Sequence, residues 1–256
     1  MNWNDKEKVN EQLSREDDVY EKFASGHSIP VWKRAIDIIG SFFGLIILSP
    51  LLLFIAALIK IISPGSVFFR QERIGKSGKV FTLFKFRTMK ENNDSTVHSK
   101  YLKELINGDS SEEKPMMKID NDPRIIPLGN FIRSTCLDEL PQLFNVLRGD
   151  MSLIGPRPPI PYEAEEYLRW HTRRFDITPG LTGLWQVSGK NRTTFKEMIR
   201  LDIKYAAERS FWLDLKILFR TPLVVISQFQ ESLIPVLGKS LIVKKVTEKG
   251  NYCLEC

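Results

Sequence analysis

The chain has 256 residues, 43% hydrophobic and 27% charged, enough to bury one compact domain with extensions and short of two full domains. A net charge of +6 and a pI near 9.1 call for an anionic partner: nucleic acid, anionic lipid or a phosphorylated substrate. No zinc site is expected from the three cysteines, since Cys253 and Cys256 form a lone CxxC at the end and Cys136 has no histidine near it in sequence.

Residues 1–28 are polar and mixed in charge, with no basic start leading into an apolar run. They read as a polar tail that stays on the cytoplasmic side, not as a secretory signal. Residues 38–59 then run without a charge. As a helix they would measure roughly 33 Å, enough to cross a bilayer core. Ser49-Pro50 sits near the middle, where proline removes a backbone hydrogen bond and the serine hydroxyl can serve the carbonyl set free. Both flanks are basic: Lys33 and Arg34 precede the run, and Lys60, Arg70, Arg73, Lys76 and Lys79 come after it. Lysine and arginine favour the cytoplasmic side, so the charges ask both ends to remain there. A re-entrant membrane helix over 29–62, bent at Ser49 and Pro50, satisfies both facts; a kinked spanning helix would strand the basic remainder outside.

Residues 67–74 and 79–89 are rich in β-branched and aromatic side chains and flank Gly75-Lys76-Ser77-Gly78, which predicts a small β-hairpin. Lys85 and Arg87 fall on one strand face, about 6.6 Å apart, where their charge is simply solvated or holds a phosphate. The Gly75-Lys76-Ser77 run is no Walker A loop, because Arg70 stands where the earlier glycine is required. Residues 90–117 read as a mobile insertion without visible chemistry, and Asp122-Pro123-Arg124 as a turn.

The densest chemistry lies between Arg133 and Pro158. Leu137, Leu140, Leu143, Phe144 and Leu147 recur at helical spacing, leaving Asp138, Glu139, Gln142 and Asn145 off that apolar face. Thr135 with Asp138 has the form of a capping box, and Pro141 falls near the first turn, so the paired carboxylates are placed at a helix start. Complementing the dipole there is worth only about 0.3 to 1 kcal/mol per charge. The next run supplies Gly149, Asp150, Gly155 and Arg157, the last fixed between Pro156 and Pro158 and suited to bidentate phosphate binding. Carboxylates beside such a site suggest phosphoryl chemistry.

Residues 163–174 predict a helix ending near Arg173 and Arg174, and 178–186 are too rich in glycine for one. Trp185 within that run could fill a core, stack on a base or lie in the lipid interface. Residues 195–219 give a long amphipathic pattern, expected to lie in the headgroup layer with its aromatic residues inserted. The expected whole is an α+β, helix-rich monotopic membrane protein with a re-entrant helix, a small β-hairpin and interfacial amphipathic helices. Its catalytic domain spans 63–222, and a C-terminal extension covers 223–256.

Taken together, these residues resemble the bacterial sugar transferases, the monotopic polyprenyl-phosphate phosphoglycosyl transferases, from about Lys33 to Pro222. The resemblance is carried by Ser49-Pro50, Lys85-Phe86-Arg87-Thr88-Met89, Leu137-Asp138-Glu139-Leu140-Pro141-Gln142, Gly149-Asp150-Met151-Ser152 through Pro156-Arg157-Pro158, and Pro179-Gly180-Leu181-Thr182-Gly183. The chain is similar to the compact catalytic form, without the membrane-spanning N-terminal region of the long members.

The resemblance implies transfer of sugar 1-phosphate from a UDP-sugar to undecaprenyl or another polyprenyl phosphate, releasing UMP, at the start of exopolysaccharide, capsule or glycoprotein glycan assembly. It implies a bacterial inner-membrane protein with its catalytic domain on the cytoplasmic face, and it leaves room for a homodimer. Asp138 is implied as the nucleophile that becomes a phosphosugar-aspartyl intermediate, and Glu139 as a ligand of Mg²⁺. Lys85, Arg87, Arg133, Arg157 and Gln142 are candidate phosphate ligands, and Asp150 and Asp202 are further metal candidates. The alternatives are a non-catalytic membrane scaffold, which would not need Asp138, Glu139 and Arg157 together, and a nucleic-acid binder, which would not explain the apolar run.

Overall fold

A computed structural model of the chain describes residues 29–90, 124–189 and 193–250, with side chains up to residue 231. The polar tail, the expected insertion from residue 91 onward, the turn starting at Asp122, and Cys253 and Cys256 lie outside the described residues. Among the described residues, helix α1 (Val31–Ile62) leads into an antiparallel hairpin of β1 (Phe68–Ile74) and β2 (Val80–Phe86). The predicted hairpin is therefore present, with Phe68 opposite Phe86 and Ile74 opposite Val80.

Helix α1 is 32 residues long, about 48 Å at 1.5 Å per residue. Pro50 lies inside it, and the Ser49 hydroxyl donates to Ile46 O at 2.7 Å, the carbonyl that proline's missing N–H leaves unserved. Its middle faces outward, with Ile47 72%, Leu53 71% and Phe54 64% exposed, and the helix is long and apolar enough to cross a membrane. Both ends turn a face inward. At the start, Lys33, Asp37 and Ser41 recur every fourth residue and are buried. At the far end, Ile55 and Ile59 pack with Phe86, Ile126 and Ile132.

The next elements are α2 (Gly129–Ser134), α3 (Gln142–Arg148) and β3 (Ser152–Ile154). Arg34 caps the end of α3, donating to Val146 O at 2.7 Å and Leu147 O at 2.9 Å. Gly149 closes that helix at φ 95, a left-handed conformation that glycine adopts without strain. Asp37 accepts from the Ser152 hydroxyl at 2.9 Å and the Leu153 N–H at 2.8 Å, tying α1 to β3.

Strand β3 pairs in parallel with β4 (Gly180–Thr182), a second two-stranded sheet that strands of three residues do not announce in sequence. Gly155 and Gly180 pass so closely that a Cβ on either would meet the other segment's backbone. The helix predicted over 163–174 is instead α4 (Pro161–Ala164), a break, and a tight 3₁₀ turn over Arg169–Asp176. After α5 (Leu184–Val187) come α6 (Phe195–Glu208) and α7 (Phe211–Gly250).

The single amphipathic helix expected over 195–219 thus breaks after Glu208, and its two parts differ. Helix α6 has a reciprocal capping box between Thr194 and Glu197, and it buries Phe195, Met198, Ile199 and Ile203 with Trp170 and Trp185. That half is core, not interface. Trp185 is a core residue as well, its ring nitrogen donating to the Thr193 hydroxyl at 2.7 Å. Helix α7 keeps Trp212 74% and Phe219 70% exposed while Asp214 and Ile217 turn inward. Asp214 pairs with Lys33 at 2.6 Å and accepts from the Tyr205 hydroxyl at 2.7 Å, tying the first turns of α1 and α7 together.

Candidate active site

The segment carrying the carboxylates folds differently from its apolar periodicity. Thr135 ends α2, its hydroxyl donating back to Phe131 O at 2.7 Å, and does not cap the turn that bears the carboxylates. Cys136 then adopts a left-handed conformation at φ 55, so the expected capping box between Thr135 and Asp138 is not formed. Leu137–Glu139 make one 3₁₀ turn, and α3 begins only after Pro141, which cannot donate to a preceding turn. Asp138 and Glu139 project from this turn half-buried. The apolar face is also rotated: Phe144 is 49% exposed, while Gln142 and Asn145 are buried.

Asn145 has a positional job. Its amide accepts from the Phe84 N–H at 3.1 Å and donates to Thr82 O at 2.7 Å, imitating a neighbouring strand along β2. It thereby fixes β2 against the helix that comes after the carboxylates. Lys85, next along β2, reaches Glu139 at 2.7 Å. Arg87 lies beyond the strand and turns away from Lys85, donating to Ser63 O and Pro64 O at 2.6 and 2.8 Å where α1 ends. The two cations expected on one face are therefore brought to different places.

Arg157 is half-buried between its prolines. Arg73, buried on β1, donates to Pro158 O at 2.9 Å, and its guanidinium senses the charges of Arg157, Glu163 and Glu139. Burial first, and then the like charge of Arg157, bring the Arg73 pKa down to about 10. Sequence reading assigned Arg73 only to a basic flank, and no local signal marks it as buried. Arg133 sits half-buried in the last turn of α2.

The remaining metal candidates lie apart. Asp150 accepts from Asn145 at 3.3 Å and pairs with Arg148 at 3.4 Å. Asp202 pairs with Arg174 at 2.5 Å, both side chains 1% exposed. Among the described residues no three His, Cys, Asp or Glu side chains gather as a metal cluster. Asp138 and Glu139 do match the way Mg²⁺ is held beside phosphates, through one or two carboxylates with the substrate's oxygens completing the shell.

The sequence profile of the family described as bacterial sugar transferase matches residues 29–228. The chain is 42% identical over 195 residues to a galactosyl transferase, CpsE, of Streptococcus agalactiae, covering 76% of this chain and 42% of that protein. It is 41% identical over 198 residues to the exopolysaccharide production protein ExoY of Rhizobium meliloti, covering 77% and 86%. A third relative, the undecaprenyl-phosphate galactose phosphotransferase of Salmonella typhimurium, is 42% identical over 197 residues, covering 76% and 40%. The chain thus spans about two fifths of the first and third relatives and most of ExoY.

Proposed function

The chain belongs to the bacterial sugar transferase family, and from that premise we propose that it transfers sugar 1-phosphate from a UDP-sugar to undecaprenyl phosphate or a like polyprenyl phosphate. The observation that carries this reading is geometric: Lys85 on β2 lies 2.7 Å from Glu139 of the Asp138–Glu139 turn, and Arg73 on the paired strand β1 donates to Pro158 O of the Arg157 loop at 2.9 Å, so one hairpin touches both. An anionic diphosphate between those cations would face a pair of carboxylates, one available to attack phosphorus.

In the first step a carboxylate oxygen of Asp138 attacks the sugar-bearing phosphorus, the bond from that phosphorus to the UMP oxygen breaks, and UMP leaves with the electron pair. In the second, a phosphate oxygen of the lipid attacks the same phosphorus and Asp138 leaves as a carboxylate. Lys85 and Arg157 hold phosphate charge through both steps, with Arg133 and Gln142 on adjoining elements. Glu139, beside Asp138, would hold Mg²⁺, which when bound neutralises diphosphate charge. We assign α1 as the re-entrant anchor, because its two ends pack on one body while the middle presents Ile47, Leu53 and Phe54 outward.

Membranes holding the protein, given undecaprenyl phosphate and UDP-glucose, UDP-galactose or their N-acetyl forms, should release UMP with at least one donor and stop when Mg²⁺ is chelated. Release from none would leave the scaffold reading. Single cysteines at Val31 and Ser77, in a background without native cysteines, should both be shielded from an impermeant reagent outside cells; labelling of one alone would mean a spanning helix.

A further inference from the structure

Residues 156–159 read Pro-Arg-Pro-Pro, so the loop offers one backbone N–H against four carbonyls. Every one of those carbonyls has a donor. Pro156 O takes the Gly180 N–H at 2.8 Å, and Pro159 O takes the Ile74 N–H at 3.0 Å. The two between them take charged side chains: Arg174 donates to Arg157 O at 2.7 Å, and Arg73 donates to Pro158 O at 2.9 Å.

Both guanidinium groups are buried, at 5% exposure for Arg73 and 2% for Arg174. A buried charge is expensive unless it is held, and both are. Arg174 pairs with Asp202 at 2.5 Å and donates to the Tyr167 hydroxyl at 2.6 Å, which in turn donates to Glu163 at 2.6 Å. Arg73 donates its second amino group to Gln71 Oε1 at 2.7 Å. Unlike Arg174, Arg73 has no carboxylate within ion-pair distance among the described residues; it feels the like charge of Arg157 and, against it, the charges of Glu163 and Glu139.

We propose that Arg73 and Arg174 are positioning residues, a pair of buried clamps that hold the 156–159 loop so that Arg157 is presented to the diphosphate of the nucleotide sugar. This rests on the reading that the chain binds a UDP-sugar. Neither arginine touches substrate; each acts through Arg157, Arg174 by fixing its own carbonyl and Arg73 by fixing the next one along the chain.

A role through Arg157 differs from a structural one in how effects combine. The test is a double-mutant cycle on UDP binding by calorimetry, with Mg²⁺ present, on the purified full chain, with UMP release assayed separately. Arg157→Ala should weaken UDP binding about tenfold or more. Arg73→Lys keeps the charge but loses the two-armed grip, and should weaken binding five- to tenfold with a melting temperature close to wild type. Combined with Arg157→Ala, it should add less than twofold. Gln71→Leu removes the group that orients Arg73 without touching the buried charge, so it supplies a milder version of the same pattern should Arg73→Lys fail to fold.

Multiplying effects in either cycle, or wild-type affinity in both Arg73→Lys and Gln71→Leu, would overturn the clamp. A wild-type protein that binds UDP but releases no UMP would refute the reaction while leaving the cycle to judge the clamp. Absence of UDP binding by the wild type would overturn both.

Discussion

The two walls of the site are built in opposite ways. On one side the 156–159 loop has three prolines in four residues and a donor on each carbonyl, two of them buried arginines. On the other, Asp138 and Glu139 ride a single 3₁₀ turn entered through a left-handed Cys136, and Glu139 meets Lys85 at 2.7 Å with both side chains partly open to solvent. A group that binds phosphate does the same work in both steps of a relay and gains from being fixed. Under the proposed relay a nucleophile would have to close on phosphorus and later let go, and Glu139, to take up a cation, would have to release Lys85. Rigidity is placed where the task is constant.

That contrast can be broken most forcefully at Glu139. Glu139→Gln keeps the volume but removes a charge from the pair, and should lower UMP release on the order of 100-fold or more, through the metal. A loss below about tenfold would mean the adaptable wall does not hold the cation. Asn145→Leu attacks the joint between β2 and the helix after the carboxylates, leaving the Phe84 N–H and Thr82 carbonyl without their side-chain partner. It should cost about 2 to 4 kcal/mol of stability in detergent denaturation. A cost under about 1 kcal/mol would mean that the hairpin holds Lys85 in place by itself.

The smallest effect sharpens the account of the fixed wall from behind. His171 lies in the turn that carries Arg174, and burial first, then the charges of Arg174 and Lys196, hold its pKa down to about 4. The folded chain therefore keeps it neutral while the unfolded chain protonates it below about 6.5. Its contribution is complete above that pH and is lost as the pH falls toward 4, amounting to about 2 kcal/mol by pH 5. The stability gap between wild type and His171→Gln should narrow by that amount between pH 7 and pH 5. A gap constant with pH would show that this turn is solvated.

Much of this was legible in the sequence wherever a signal is local. The apolar run with Ser49-Pro50, the hairpin around Gly75 and Gly78, the Asp138-Glu139 pair and the proline-framed Arg157 all declare themselves within a few residues. Periodicity misled where tertiary contacts choose the face. Asn145 is polar yet fully buried because β2 needs a partner for its backbone, and Phe144 is apolar yet half exposed. The Thr135 signal failed because its hydroxyl closes the preceding helix; the working capping box is Thr194 with Glu197. Residues 195–208 and 211–219 share one pattern, but only contacts with Trp170 and Trp185 tell the buried helix from the exposed one. The polar stripe of Lys33, Asp37 and Ser41 could have been found, since its spacing of four runs up to the uncharged segment and one step into it.

The covalent role proposed for Asp138 is tested most directly by leaving out the acceptor. Wild-type protein quenched after mixing with UDP-sugar alone should release about one equivalent of UMP per active site and carry the mass of a sugar phosphate on the peptide holding Asp138. The adduct should disappear on adding polyprenyl phosphate and be absent from Asp138→Asn. UMP appearing only when both substrates are present, with no adduct on rapid quenching, would contradict the relay and mean that the lipid attacks the UDP-sugar directly.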